Sequence, residues 1–151
     1  MAISAEAVKE LRDKTGVSMM ECKKALEEAG GDVTKALEVL SARAVAMAGK
    51  KSDRAFGAGT VAAYVHGNGQ VGAMVVLSCE TDFVSKNEEF TALARDIAMH
   101  ISAMRPADVA ELVAQQYIKD PAKTIGDLLN GAIQKFGERT EVTQFAAFAT
   151  K

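Results

Sequence analysis

One stretch constrains the fold of this chain more than any other: residues 71–86, which read VGAMVVLSCETDFVSK. Apolar residues recur at every second position from Val71 to Cys79, which predicts a β-strand that is buried on most of both sides. The composition turns polar at Glu80 and stays polar through Glu89. The strand is therefore predicted to end in a short loop just ahead of the next element.

The predicted loop consists of Thr81, Asp82, Phe83 and Val84, of which only the last two are large and apolar. Burying a phenyl ring contributes roughly 1.5–3 kcal/mol. Phe83 therefore either packs beneath its own loop as a core residue or fills a pocket of a partner. The sequence leaves both interpretations open.

A long helix is predicted after this loop. Ser85 and Glu88 have the spacing of a capping box, and Asn87 is a competing N-cap. Apolar residues then recur at helical spacing up to Met104, and Arg105-Pro106 ends the run. Asp82 and Phe83 are thus expected on a tight turn between two rigid elements.

Residues 1–49 are predicted to form a compact module of three short helices. Ser4, Ser18 and Asp32 are candidate N-caps, and Gly16 and Gly30-Gly31 interrupt the helical pattern. Such a module can barely bury a core of its own, and it has the size of a small binding unit.

Met19 and Met20 stand side by side on the second helix of this module, so they cannot both point inward. Methionine is common on adaptable binding surfaces. The sequence therefore leaves two alternatives, a contact with a partner or a half-buried position at the rim of the core.

Residues 50–59 are predicted to form a linker, because glycines replace the helical periodicity. Lys50, Lys51 and Arg54 give this segment a basic character. We expect a solvated run of charges here, with contact to an acidic surface as the alternative.

Residues 60–151 are predicted to form an α+β core. Strands are expected at residues 60–66, 71–79 and 141–149, with an Asn68-Gly69 hairpin between the first two. Thr124 and Asp127 have the spacing of a capping box for a further helix that ends at Gly137. The fold class is therefore a three-helix module followed by a three-stranded antiparallel sheet covered by helices.

Composition argues against several classes of function. The chain has 151 residues, a net charge of −2 and a pI near 5.7, so nothing general draws it to nucleic acid or an anionic membrane. No apolar run approaches the length of a membrane span. Cys22 and Cys79 are expected to be reduced, packed thiols.

Catalytic and cofactor-binding patterns are also missing from the sequence. It has no phosphate-binding glycine loop and no closely spaced Cys or His set for zinc. His66 and His100 are expected to be surface or packed residues, and the Glu80 and Asp82 carboxylates lack a neighbouring nucleophile. We therefore expect neither an enzyme nor a bound cofactor or metal.

Four blocks of the sequence resemble successive signatures of the translation elongation factor Ts family: Leu11–Gly16, Met19–Leu26, Cys79–Val84 and Ala98–Ile101. Their order and spacing match the family over residues 3 to about 106, and the stretch from about Tyr117 to Phe148 resembles the family's end. The chain departs from the family by being short between about residues 105 and 117.

The resemblance implies a guanine-nucleotide exchange factor that binds elongation factor Tu in its GDP-bound or nucleotide-free form during translation elongation. It implies a ubiquitin-associated-like fold for the first module, with Met19, Met20 and Lys23 as docking residues. Thr81, Asp82, Phe83 and Val84 would enter the partner and disrupt its Mg²⁺ and phosphate site. His100 would be a further partner contact in the core domain, which is of the dimerisation type.

The sequence leaves an alternative function open: a non-exchanging adaptor that binds a partner through its helical module. It also leaves open whether the chain is a monomer or pairs with a second copy through a strand edge near its carboxyl terminus. The expected place of action is a bacterial-type cytoplasm or an organelle matrix.

Overall fold

The structure, a computed structural model, describes residues 2–151. The chain divides into two compact units, one with residues up to Ser52 and Asn130–Gly137, the other with Asp53–Leu129 and Glu138–Lys151. The elements in chain order are α1 (Ala5–Thr15), α2 (Met19–Glu28), α3 (Val33–Lys51), β1 (Ala58–His66), β2 (Val71–Cys79), α4 (Asp82–Ser85), α5 (Glu88–Met104), α6 (Val109–Ala114), β3 (Gln116–Tyr117), β4 (Asp120–Thr124), α7 (Ile125–Phe136) and β5 (Glu141–Ala149).

The capping residues predicted for the first three helices are confirmed. Side-chain oxygens of Ser4, Ser18 and Asp32 each accept a hydrogen bond from the backbone N–H three residues later. Gly16 adopts the left-handed conformation, with φ of 70°, at the end of α1. The helices enclose a small apolar cluster: Val8, Leu11, Val17, Cys22, Ala25, Leu26, Ala36 and Leu40.

The segment predicted as a linker is shorter than expected at both ends, since α3 continues through Lys51 and β1 already begins at Ala58. Lys50 and Arg54 are exposed, as expected for a solvated charge run, whereas Lys51 is half-buried; Lys51 and Arg54 also have partners within the chain. Lys51 Nζ donates to the carbonyl of Gly137 at 2.7 Å, and Arg54 pairs with Glu80 at 3.3 Å. Gly137 directly follows the last residue of α7, so the lysine supports the chain where it leaves that helix.

The predicted three-stranded antiparallel sheet is confirmed, with the strand order β1-β2-β5. Helix α5 packs against β1 and β2 on one face, where Val75, Leu77 and Cys79 are buried. The expectation that β2 is buried on most of both sides is confirmed except at Met74. On the opposite face Gly72 and Val76 are half-buried and Ser78 is buried, whereas Met74 is 51% exposed because no helix of this unit covers it.

The region after Cys79 also differs from the prediction. Three of the four predicted loop residues belong to α4, a single helical turn whose N-cap is Thr81. Asn87, not Ser85, is the N-cap of α5, and Ser85 is buried. The side chain of Thr81 already supplies a cap, so the chain makes one separate turn before the long helix begins.

The segment between α5 and α7 contains more structure than the sequence predicts. Asp108 caps the short helix α6, and β3 and β4 pair as a two-stranded antiparallel sheet. At the start of α7 the predicted capping box is confirmed in both directions. The N–H of Asp127 bonds Thr124 Oγ1 at 3.0 Å, and the N–H of Thr124 bonds the Asp127 carboxylate at 2.9 Å.

Candidate functional site

The turn α4 displays one large apolar side chain to solvent. Phe83 is 88% exposed, whereas the neighbouring Val84 is 4% exposed and belongs to the core. Consecutive residues on a helix point in directions about 100° apart, so one helical turn can seal Val84 inside while it exposes Phe83. Of the two interpretations of Phe83, the structure therefore supports display and not burial in its own core.

Hydrogen bonds within the turn fix its backbone. Thr81 Oγ1 accepts from the N–H of Val84 at 3.5 Å, and the carbonyl of Thr81 accepts from the N–H of Ser85 at 3.1 Å. Ser85 Oγ in turn donates to the carbonyl of Asp82 at 3.1 Å. Asp82 is exposed beside Phe83, so the turn offers a carboxylate and a phenyl ring together.

The base of the turn is held by Glu138, from the connection between α7 and β5. Its Oε1 accepts from the N–H of Glu80 at 3.0 Å and from the N–H of Thr81 at 2.9 Å. Its Oε2 accepts from Thr81 Oγ1 at 2.6 Å. Hydrogen bonds to an ionised carboxylate are about twice as strong as those between neutral groups.

Glu80 forms the reciprocal bond between the same two segments, because its carboxylate accepts from the N–H of Arg139, the residue after Glu138, at 2.5 Å. The Arg139 guanidinium lies 4.0 Å from the ring centroid of Phe56 and donates to the carbonyl of Arg54 at 2.6 Å. Sequence reasoning missed Glu138 and Arg139, since no local pattern reveals bonds to residues 57 to 59 positions away.

Cys79 lies beneath the same turn. Its Sγ donates to the carbonyl of Thr81 at 3.3 Å, and burial raises the pKa of the thiol, with a further increase from the Glu138 carboxylate. Burial also raises the pKa of Cys22, and both cysteines are free and buried. The prediction of packed, reduced thiols is thus confirmed, and a protonated Cys79 supports the turn without reactive chemistry.

Helix α2 carries a second exposed surface, on the first unit. Met19 is 45% exposed and Met20 is 67% exposed, and Lys23 lies beside them at helical spacing. Neither methionine belongs to the core, which on this helix consists of Cys22, Ala25 and Leu26.

Arg43 of α3 holds α2 in place from outside the core. Its guanidinium pairs with Glu21 at 3.1 Å and with Glu28. The two carboxylates lie two helical turns apart, so one cation bridges the length of α2. This arrangement presents Met19, Met20 and Lys23 on a supported helix.

His100 is fully buried, with 0% exposure. Its Nδ1 accepts from the N–H of Ile118 at 3.2 Å, which leaves Nε2 as the protonated nitrogen that donates to Gln115 Oε1 at 2.9 Å. Burial lowers the pKa of this imidazole. The partner contact predicted for His100 is corrected to an internal role, because the ring has no exposed surface and both nitrogens are used within the chain.

A third exposed surface is the uncovered face of the sheet. Its largest side chains are 51% to 73% exposed: Val61, Val65, Met74 and Phe148. The register places Ala63 opposite Met74, and Gly72 between Val65 and Phe148. The four side chains therefore form one apolar patch across all three strands.

Within residues 2–151, no group of three or more His, Cys, Asp and Glu residues has the geometry to hold a metal ion. No helix in the same range combines the length and apolar character needed to span a membrane.

Comparison with known proteins gives consistent results. A sequence model described as "Elongation factor TS" matches residues 80–151. Elongation factor Ts of Leptospira biflexa serovar Patoc is 40% identical over 193 aligned positions, which cover 98% of each chain. The protein of the same name from Thermosipho melanesiensis is 48% identical over 151 positions, covering 90% of this chain and 77% of the relative. The Leptospira alignment is longer than the 151 residues of this chain, so that relative has residues without a counterpart here.

Proposed function

The chain belongs to the elongation factor Ts family, and from this premise we propose that it promotes the release of GDP from elongation factor Tu during translation elongation. The observation that carries the proposal is the exposed phenyl ring of Phe83 on a braced helical turn. The proposed place of action is a bacterial-type cytoplasm or an organelle matrix.

In the proposed mechanism Phe83 and Asp82 enter a groove of the GTPase near the phosphates of GDP. The GTPase holds these phosphates by backbone N–H groups, by a lysine and by a Mg²⁺ ion. Mg²⁺ requires near-ideal octahedral geometry, so a shift on the order of an ångström in its supporting elements weakens its binding. Thr81 and Val84 flank the inserted pair and keep the turn in shape.

Burial of the exposed ring supplies the free energy for this shift. With 88% of Phe83 exposed, nearly all of the roughly 1.5–3 kcal/mol that ring burial contributes is still available for the complex. By linkage, the factor by which this protein lowers the affinity for GDP equals the factor by which GDP lowers the affinity for this protein. It therefore binds the empty GTPase most tightly, and incoming nucleotide releases it.

Docking is proposed to rest on the α2 surface formed by Met19, Met20 and Lys23. The two thioethers supply apolar area and the ammonium supplies a charge, a combination suited to a groove with an acidic rim. Because these residues lie on a different unit from Phe83, docking and GDP release are separable by mutation.

The decisive experiment measures the release of fluorescent GDP from purified elongation factor Tu against the concentration of this protein. The native chain is expected to accelerate release, and Phe83→Ala is expected to reduce the maximal rate strongly. Met20→Ala is expected mainly to raise the concentration needed for half-maximal effect. A chain that binds the GTPase in a pull-down without accelerating release would instead be an adaptor.

We also propose that a second copy of this chain covers the apolar patch on the open face of the sheet. With exposures of 51% to 73%, its four large side chains present roughly 400 Å², since one fully exposed large apolar side chain presents on the order of 150 Å². Two such patches bury roughly 800 Å² in total, so an interface of the standard size, about 1,200 Å², must also include the flanking alanines and the polar residues around the patch. Light scattering after size-exclusion chromatography is expected to give a dimer, and Met74→Glu a monomer.

A further inference from the structure

The turn that carries Phe83 is too short to be stable by itself. A single helical turn fixes several backbone dihedrals for very few hydrogen bonds, so isolated turns of this length unfold in water. Burial of Val84 and Ser85 anchors the inner side of α4. The outer side, which bears Phe83, requires a brace at the N-terminal end of the turn.

Glu138 provides such a brace. Its carboxylate uses both oxygens and accepts three hydrogen bonds, two from consecutive backbone N–H groups and one from the hydroxyl of Thr81. The hydroxyl has only one proton, and the short 2.6 Å bond commits it to Glu138. The free lone pairs of Thr81 Oγ1 are then available to the N–H of Val84, so Glu138 also makes Thr81 Oγ1 the acceptor in the N-cap hydrogen bond of α4.

The brace is itself rigid. Glu138 follows Gly137, whose φ of 73° ends α7, and its carbonyl accepts from the buried hydroxyl of Thr140 at 3.1 Å. The reciprocal bond from the N–H of Arg139 to the Glu80 carboxylate locks the two connections to each other. The arrangement is a long-range equivalent of a capping box, in which each segment supplies a carboxylate to the other's backbone.

We propose that Glu138 is a positioning residue for nucleotide exchange, which holds the α4 turn so that Phe83 enters the GTPase in one orientation. This inference rests on the proposed function. An α4 turn that is already ordered loses little conformational entropy when Phe83 is inserted, whereas a mobile turn must be ordered at the moment of binding. Loss of the brace therefore slows the release step and leaves docking through α2 unchanged.

The test variant is Glu138→Gln, which keeps the size of the side chain but replaces one oxygen by an N–H₂ group. When the amide oxygen keeps the bonds from the N–H groups of Glu80 and Thr81, the N–H₂ group faces Thr81 Oγ1 and cannot accept the proton of its hydroxyl, and the remaining bonds lose the assistance of the negative charge. The maximal rate of GDP release is expected to fall on the order of tenfold, with little change in the half-maximal concentration. The matched control is Glu111→Gln, which removes a carboxylate bonded to the N–H of Ala107 at 2.9 Å, away from the turn.

A second readout does not depend on exchange. The chain has no tryptophan, so Phe83→Trp introduces a single fluorophore at the tip of the turn. Its fluorescence anisotropy is expected to fall when Glu138→Gln is added and to stay unchanged when Glu111→Gln is added. Far-UV circular dichroism of each variant verifies that the chain is folded.

A double-mutant cycle with Thr81→Val identifies the route of the effect. If Glu138 acts through the hydroxyl of Thr81, the double variant releases GDP only slightly more slowly than either single variant. Native-like release and native-like anisotropy in Glu138→Gln would overturn the positioning role alone. Failure of the native chain to accelerate release would overturn the proposed function and, with it, the role of Glu138.

Discussion

The effect of Phe83→Ala on stability shows whether the Phe83 ring is exposed or packed in the core. With 88% of the residue exposed, only about an eighth of the roughly 1.5–3 kcal/mol for full burial is lost in Phe83→Ala, or about 0.2–0.4 kcal/mol. Alanine also has a higher helix propensity than phenylalanine, by about 0.5 kcal/mol, which offsets this loss. The free energy of unfolding should therefore change by less than about 0.5 kcal/mol.

Phe90 supplies the matched control seven residues later in the chain. It is fully buried on α5, so Phe90→Ala removes the same atoms from a packed site and is expected to cost about 3–5 kcal/mol. Urea unfolding of the native chain and both variants, followed by circular dichroism, measures the two changes. A decrease of more than about 1.5 kcal/mol in the free energy of unfolding of Phe83→Ala would mean that the ring is packed in solution. The proposed mechanism would then have no exposed ring to insert into the GTPase.

Three further perturbations test other parts of the structure. Burial lowers the pKa of His100 below its usual 6.5, so the unfolded chain binds a proton at this imidazole more readily than the folded chain does. The neutral, buried His100 therefore makes its full contribution to stability above pH 6.5, and this contribution is lost as the pH falls below that value. Urea unfolding at pH 7.5 and pH 5 should show this loss in the native chain and not in His100→Gln. Met20→Glu should weaken binding to elongation factor Tu by about tenfold or more without changing stability. Glu27→Ala on the same helix should leave both binding and stability unchanged. A Cβ at Gly57 would lie 2.5 Å from the carbonyl oxygen of Glu80, so Gly57→Ala should cost about 1–3 kcal/mol and also slow GDP release.

Local signals in the sequence predicted most of the regular structure. Ser18, Asp32 and the Thr124–Asp127 pair each bond a backbone group three residues away, so a short window of sequence contains the complete cap. The alternation of β2 and the Asn68-Gly69 turn likewise predicted the strand pairing. These features require no knowledge of distant residues.

The elements that sequence reasoning missed depend on distant partners or are too short for a pattern. Helix α6 has six residues, less than two turns, so no periodicity develops in it. The turn α4 depends on Glu138, which lies 57 residues beyond Thr81. The exposure of Met74 was missed because this residue is as apolar as its buried neighbours on β2, and only the position of α5 decides which face of the sheet is covered.

The outward direction of Phe83 follows from the separate turn and not from the residue's own chemistry. In an extended loop, Phe83 and Val84 would point to opposite sides, but nothing would fix the loop in one conformation. Had α5 begun directly at Ser85, as its capping spacing with Glu88 suggested, both apolar residues would have preceded the helix without hydrogen bonds of their own. The turn capped by Thr81 instead fixes their directions, and Val84 takes the core position. The structure therefore couples the burial of one apolar residue to the display of the other, and a substitution at Thr81 or Glu138 should affect exchange without touching the ring.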